Sequence, residues 1–243
     1  MIKKLLKILT FGILGMIVAI TLVLGYFGFV PGVSVLFGSN KPRDLGINFT
    51  VQDSEAARQK MGVTFEELPA TAVPEETLKF SGQKVIQQSF SDTELSALIA
   101  HDPWKYNYVA NPQLKIHGDG TIECSGLFIK DRFPGYLQAH RVSDQTSKAI
   151  VDNMGFLPSR TPVYCQLTAS WTENKLTVDV REVQVARLGI PDDQINKFES
   201  QLEADLQRTV LSVPGLTIKS LTFTNGQMTY DGTFPEKISW ATK

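Results

Sequence analysis

The sequence has little of what catalytic and metal-binding sites are made from. It contains two cysteines and three histidines among 243 residues. His101, His117 and His140 do not follow the HxxxH or HExxH spacing of metal sites, and no CxxC pair occurs. The Gly-x-Ser-x-Gly, Walker-type and Gly-x-Gly-x-x-Gly motifs are also absent. We therefore predict no catalytic residue, no metal and no cofactor, and we expect that the protein is not an enzyme.

Clustered positive charge is missing as well. The chain has 24 basic and 25 acidic residues and a formal net charge of −1. A nucleic-acid-binding surface requires Lys and Arg gathered on one face. We expect no nucleic-acid partner.

The most distinctive segment is a run of 23 residues, 8–30, that contains no charged residue. A helix of this length rises about 1.5 Å per residue and matches a hydrocarbon core of about 30 Å. The run therefore predicts a transmembrane helix that contacts the bilayer. A cleaved secretory signal has a shorter apolar core and a small-residue cleavage site, which residues 33–39 lack. An uncleaved signal-anchor is the favoured interpretation.

Charges beside this run indicate its orientation. Lys3, Lys4 and Lys7 precede it, whereas Lys41 and Arg43 follow at a greater distance beside Asp44. The excess of positive charge on the N-terminal side predicts a cytoplasmic N-terminus in the cell membrane, with the rest of the chain extracytoplasmic. We divide the chain into a cytoplasmic tip and signal-anchor (1–30), a linker (31–43) and one extracytoplasmic α+β domain (44–243).

Local signals within the domain predict helices and antiparallel hairpins. Thr50 and Ser91 each precede an acidic residue by three positions, which is typical of a helix start. Residues 65–74 show no periodicity and are predicted to be a loop. Turn signals at 118–120, 173–174 and 225–226 separate strand-like segments and predict three hairpins. In the strand 175–185, the apolar alternation changes phase at Arg181 and Glu182, which predicts a bulge.

The clearest predicted helix follows Pro191. Apolar residues recur in it at three- and four-residue spacing and form one stripe, whose members are Ile195, Phe198, Leu202, Leu206 and Val210. Pro214 and Gly215 end the helix. Such a stripe packs into a closed core in an ordinary protein, and it lines a groove in a protein that encloses an apolar ligand.

The C-terminal half shows a pattern found in a known group of proteins. A strand at 176–185, a loop containing Gly189 and Pro191, the long helix, and a segment from Pro214 through Asn225-Gly226 to Pro235 follow in order. This pattern resembles bacterial single-span membrane proteins with a TULIP-like lipid-binding domain, of the YpmS-like and LmeA-like groups. The resemblance implies a strongly curved antiparallel sheet packed on the long amphipathic helix, with an apolar groove between them. It implies no catalytic residue.

Two expectations for function follow. The first is a cell-envelope protein that binds lipid or another amphiphile, with the stripe residues as candidates for the groove. The alternative is a non-enzymatic interaction or assembly module of an envelope complex. Cys124 and Cys165 are a candidate disulfide in an exported domain, or else two buried thiols that act as small apolar residues.

Overall fold

The structure, a computed structural model, describes residues 2–173 and 175–242, and the side chains of residues 2–12, 198, 200–202 and 205 lie outside the described part. The helices are α1 (Ile2–Tyr26), α2 (Pro31–Phe37), α3 (Val51–Met61), α4 (Asp92–Ala100), α5 (Phe133–Ala139), α6 (Asp144–Asn153) and α7 (Asp192–Leu211). The strands are β1 (Thr64–Leu68), β2 (Leu78–Ser81), β3 (Lys84–Ser91), β4 (Val109–Ile116), β5 (Thr121–Ile129), β6 (Arg160–Thr172), β7 (Lys175–Val185), β8 (Leu188–Gly189), β9 (Thr217–Thr224), β10 (Gln227–Phe234) and β11 (Lys237–Ala241).

One continuous helix covers most of the apolar run at the N-terminus, but the expectation of a helix over 8–30 is wrong for its last four residues, 27–30. Helix α1 ends at Tyr26, Gly28 takes a left-handed φ of 94°, and Val30 is extended before Pro31 opens α2. A residue before proline avoids the helical region, which explains the break. Within residues 13–242, no single helix meets the length and hydropathy needed to cross a membrane. The pair Ile13–Tyr26 and Pro31–Phe37 meets them together, with a bend of 67°.

Two helices beside the main sheet, α3 and α4, begin at the caps that their start signals predict. The Thr50 backbone N–H donates to Asp53 at 2.7 Å at the start of α3, and Gly62 ends this helix in a left-handed conformation. Ser91 and Glu94 form the reciprocal cap of α4. Glu94 also pairs with Lys60 of α3 at 2.7 Å, so the two helices are joined at their ends.

The main sheet is antiparallel, eight-stranded and strongly curled into a half-barrel, which confirms the α+β class. Its order is β3-β10-β9-β6-β5-β4, with β7 on the other edge of β6 and β8 beyond it. All three predicted hairpins are present. The bulge is also confirmed, because Gln166 pairs with Glu182 while Leu167 pairs with Val180, leaving Arg181 unopposed.

A second, three-stranded sheet has the order β1-β11-β2. Strand β1 pairs in parallel with β11 from Thr64 to Leu68, so the prediction of a loop over 65–74 is wrong for its first part. Phe65 stacks on Trp240 with ring centroids 4.6 Å apart, which fixes the two strands against each other.

One end of the half-barrel is closed by a core of buried side chains. Trp171, at 2% exposure, lies at its centre beside Leu176 and Val178 of β7. Side chains of α3, β3, β9 and β10 complete this cluster, namely Ala57, Ile86, Phe90, Ile218 and Tyr230. At about 25 cal/mol per Å² of buried apolar surface, this cluster supplies much of the drive for the curled sheet to close here.

Candidate functional site

The face of the sheet that points toward α7 carries apolar side chains in rows across the strands. Because directly paired residues on neighbouring strands point to the same side, the register defines these rows. They contain Ile122, Leu167 and Val180; then Leu114, Cys124, Cys165 and Val183; then Gly126, Val163 and Val185. We call this surface the inner face.

The inner face is covered unevenly. Trp171, Leu176 and Val178 are buried in the core cluster. Further along the same strands, most of the side chains remain only half-buried, including Leu114, Val163, Cys165, Leu167, Val180, Val183 and Val185. Phe128 and Thr161, at the far end of the same face, are buried again, so the inner face is closed at both ends and less covered in its middle part.

A cavity of about 520 Å³ occupies the space between the open part of the inner face and the start of α7. Its described lining residues are Cys165, Leu167, Val180, Val183, Ile190, Gln194 and Ile195. We call this cavity the apolar groove. Its volume lies within the range of about 300–1,000 Å³ that is usual for small-molecule sites.

A second cavity, of about 390 Å³, adjoins the groove and shares Cys165 and Val183 with it. Its wall continues across the inner face to Leu114 of β4 and Ile99 of α4. Tyr108 also lines it, and burial raises the pKa of its hydroxyl, so this side chain is neutral at all physiological pH values. The space available to an apolar occupant thus extends over four strands.

The opposite face of the same strands is polar. Arg43 lies 3.5 Å from the centroid of the Tyr164 ring and also contacts Gln184 and Glu182. His117 and Glu123 form a pair at 2.9 Å. This alternation of an apolar inner face and a charged outer face shows that the apolar lining of the groove follows from the strand pattern.

The two cysteines lie in the wall between the two cavities. Cys124 of β5 and Cys165 of β6 are directly opposite each other on neighbouring strands, and both thiols are free in this structure. The hydrogen bond from Cys124 lowers the pKa of Cys165, while the same contact and burial raise the pKa of Cys124. Within the described residues, no group of three His, Cys, Asp or Glu side chains is placed so that it could hold a metal ion.

The end of the sheet away from the core cluster is attached to the N-terminal helices. The Arg187 backbone N–H donates to the Phe27 carbonyl at 3.1 Å, and its guanidinium donates to the Phe37 carbonyl at 2.7 Å. The same guanidinium lies 5.3 Å from the ring centroid of Tyr26. Val185, two residues earlier, lines the second cavity, so this cavity lies beside the junction with α1 and α2.

The predicted stripe on α7 is placed only in part. Ile195 is buried and lines the apolar groove, and Val210 packs on the core cluster. Leu206 is 42% exposed. The side chains of Phe198 and Leu202 lie outside the described part of the structure.

Most of the groove wall comes from residues that the sequence did not single out. Leu167, Val180 and Val183 belong to apolar patterns in predicted strands, and the phase change at Arg181 indicates that apolar residues on both sides of the bulge share one face.

Comparison with known proteins finds no matching family model, no matching curated protein and no matching solved structure.

Proposed function

We propose that this protein is held in the cell membrane by its N-terminal apolar segment and binds the acyl part of a lipid, or another amphiphile, in the apolar groove without catalysing a reaction. The observation that carries the proposal is a groove whose wall is apolar and half-buried while the adjoining core is closed. An acyl chain placed there would remove apolar surface from water at about 25 cal/mol per Å².

The position of the groove supports a membrane lipid as the occupant. Arg187 ties the end of the sheet away from the core cluster to the junction of α1 and α2, so a lipid leaving the bilayer beside α1 would have a short path through the second cavity to the groove. Helix α2 exposes Val35 and Leu36 at 59% and 78%, as expected for a segment that contacts the apolar edge of a bilayer. An amphipathic α7 would form the outer wall of the groove.

The test uses the full chain in nanodiscs that contain a phospholipid with a photoreactive diazirine at the end of its acyl chain. Illumination should label peptides from β6 and β7 in addition to the N-terminal helices. Val183→Trp fills the groove and should abolish labelling of β6 and β7. Thr177→Trp is the matched control, because Thr177 is exposed on the same strand.

Labelling confined to the N-terminal helices in the wild type would reject lipid binding by the domain. The alternative function, a non-enzymatic interaction or assembly module, would then be favoured. The exposed apolar side chains near α2 would be its contact surface.

A further inference from the structure

A cavity of about 590 Å³, separate from the apolar groove, lies where the N-terminal helices meet the ends of β5 and β6. Gly28 and Pro31 contribute the helical side of its wall. Lys130, Ser159 and Arg160 contribute the side that belongs to the domain. Ile129 pairs with Arg160, and the Lys130 backbone N–H donates to the Ser159 carbonyl at 3.0 Å, so the ends of β5 and β6 bring both cationic residues to this cavity.

The charge of this cavity is positive, because two basic side chains and no acidic one are among its described lining residues. Lys130 donates to the carbonyls of Leu157 at 2.6 Å and Gly155 at 3.3 Å, which fixes its ammonium group and leaves one of three protons for another acceptor. Arg160 is exposed, and its guanidinium has no hydrogen bond or ion pair with any residue that the structure describes. Its five donors are available to an anion.

A third polar group in the wall also lacks a partner. The Oδ1 atom of Asn40 is buried and accepts no hydrogen bond within the described part of the chain. Burial of an amide atom without a partner costs about 1–3 kcal/mol, and an occupant with hydrogen-bonding groups removes this cost. The amide can present either its oxygen or its NH₂ group, since rotation exchanges the two.

The surroundings of the cavity are apolar and exposed. Phe156 is 72% exposed and lies against Phe29, with ring centroids 6.3 Å apart. Leu36 of α2 is 78% exposed. Aromatic and basic side chains beside exposed apolar residues are typical of the level at which lipid headgroups lie.

We propose that this cavity binds the phosphate group of an anionic membrane phospholipid, with Arg160 and Lys130 as its cationic ligands. Planar guanidinium groups match phosphate oxygens in two parallel hydrogen bonds, and the ammonium group adds a point charge. The lipid source of the phosphate rests on the proposed membrane anchoring, whereas the phosphate chemistry rests on the cavity alone. The headgroup would lie here whether or not an acyl chain fills the apolar groove.

The experiment measures dissociation constants by calorimetry for the full chain in uncharged maltoside micelles. The probes are dihexanoyl phosphatidylglycerol, dihexanoylglycerol, which lacks the phosphate, and inorganic phosphate. The main variant is Arg160→Gln, since Arg160 is exposed and holds no other side chain in place. Lys130→Gln is the second variant, and Lys79→Gln with Lys175→Gln is the control that removes two exposed charges elsewhere.

We expect the wild type to bind phosphatidylglycerol more tightly than dihexanoylglycerol. Arg160→Gln should weaken phosphatidylglycerol binding about tenfold, the size of a lost hydrogen bond to a charged group, and leave dihexanoylglycerol unchanged. The control should bind as the wild type does. Equal binding of phosphatidylglycerol by wild type and Arg160→Gln overturns the proposal.

Inorganic phosphate separates the two sources of the ligand. If inorganic phosphate binds as tightly as phosphatidylglycerol and its binding depends equally on Arg160, the cavity is a site for soluble phosphate. That result would overturn the lipid source. Failure of the apolar groove is distinguishable, because it would abolish dihexanoylglycerol binding and leave the effect of Arg160→Gln on phosphatidylglycerol intact.

Discussion

Two valines of β7 provide an internal measure of whether the groove is an open cavity. Val178 and Val183 point to the same inner face of one strand, but Val178 is 5% exposed within the core cluster and Val183 is a half-buried part of the groove wall. Replacement of each by alanine removes the same atoms and changes strand propensity in the same way, so the difference between them reports the surroundings alone.

The expected cost is worked out from burial. Valine to alanine removes two methyl-sized groups, which at about 0.8 kcal/mol each gives about 1.6 kcal/mol for a buried site, and the cavity left behind raises this to about 2 kcal/mol for Val178→Ala. At Val183 the space beside the side chain is already empty and the side chain is only half-buried. Val183→Ala should therefore cost less than about 1 kcal/mol in the absence of lipid.

The assay is urea unfolding of the full chain in lipid-free amphipol, followed by tryptophan fluorescence. All three tryptophans, Trp104, Trp171 and Trp240, belong to the domain, so the signal does not report on the N-terminal helices. Addition of a lipid that fills the groove should stabilise the wild type and raise the cost of Val183→Ala toward that of Val178→Ala. Equal costs for the two variants without added lipid would refute the reasoning, because they would mean that the groove is part of a closed core.

Three further predictions concern topology, redox state and pH. Protease added to intact spheroplasts should digest the domain and spare cytoplasmic controls, and a protected domain would overturn the N-in orientation. Directly opposite residues of antiparallel strands have Cα atoms about 4.5–5.5 Å apart, within reach of a disulfide, so the exported protein should show no free thiol at Cys124 or Cys165, and two titratable thiols would contradict this. Burial against Tyr136 lowers the pKa of His140 below 6.5, so on acidification the unfolded chain is protonated at His140 before the folded protein is. The free energy of unfolding should therefore fall as the pH drops below 6.5 toward the lowered native pKa. His140→Phe should flatten that slope. An unchanged slope in the variant would show that another group carries it.

Features set by neighbouring residues were predictable from the sequence. The turn between β9 and β10 needs two positive φ angles, and Asn225 and Gly226 adopt them at 49° and 76°. The caps of α3 and α4 and the bulge at Arg181 are equally local, because each depends on side chains and backbone within a few positions.

Features set by distant parts of the chain were not predictable in this way. The segment 64–68 has no strand pattern of its own and becomes β1 by pairing with β11, more than 160 residues later. The groove has the same origin. Alternation together with the bulge at Arg181 predicts that Val178 and Val183 share a face, but the burial of one and the partial exposure of the other depend on where α7 and the other helices lie.

The small sheet has a consequence for the order in which the protein acquires its structure. Strand β11 is the central strand between β1 and β2, so neither outer strand has its hydrogen-bonding partner until residues 237–241 have been synthesised. Phe65 likewise cannot stack on Trp240 until that segment has been synthesised. During synthesis, β1 and β2 are therefore unpaired edges that chaperones and proteases can recognise, and a chain cut short before residue 237 would keep those edges unpaired permanently.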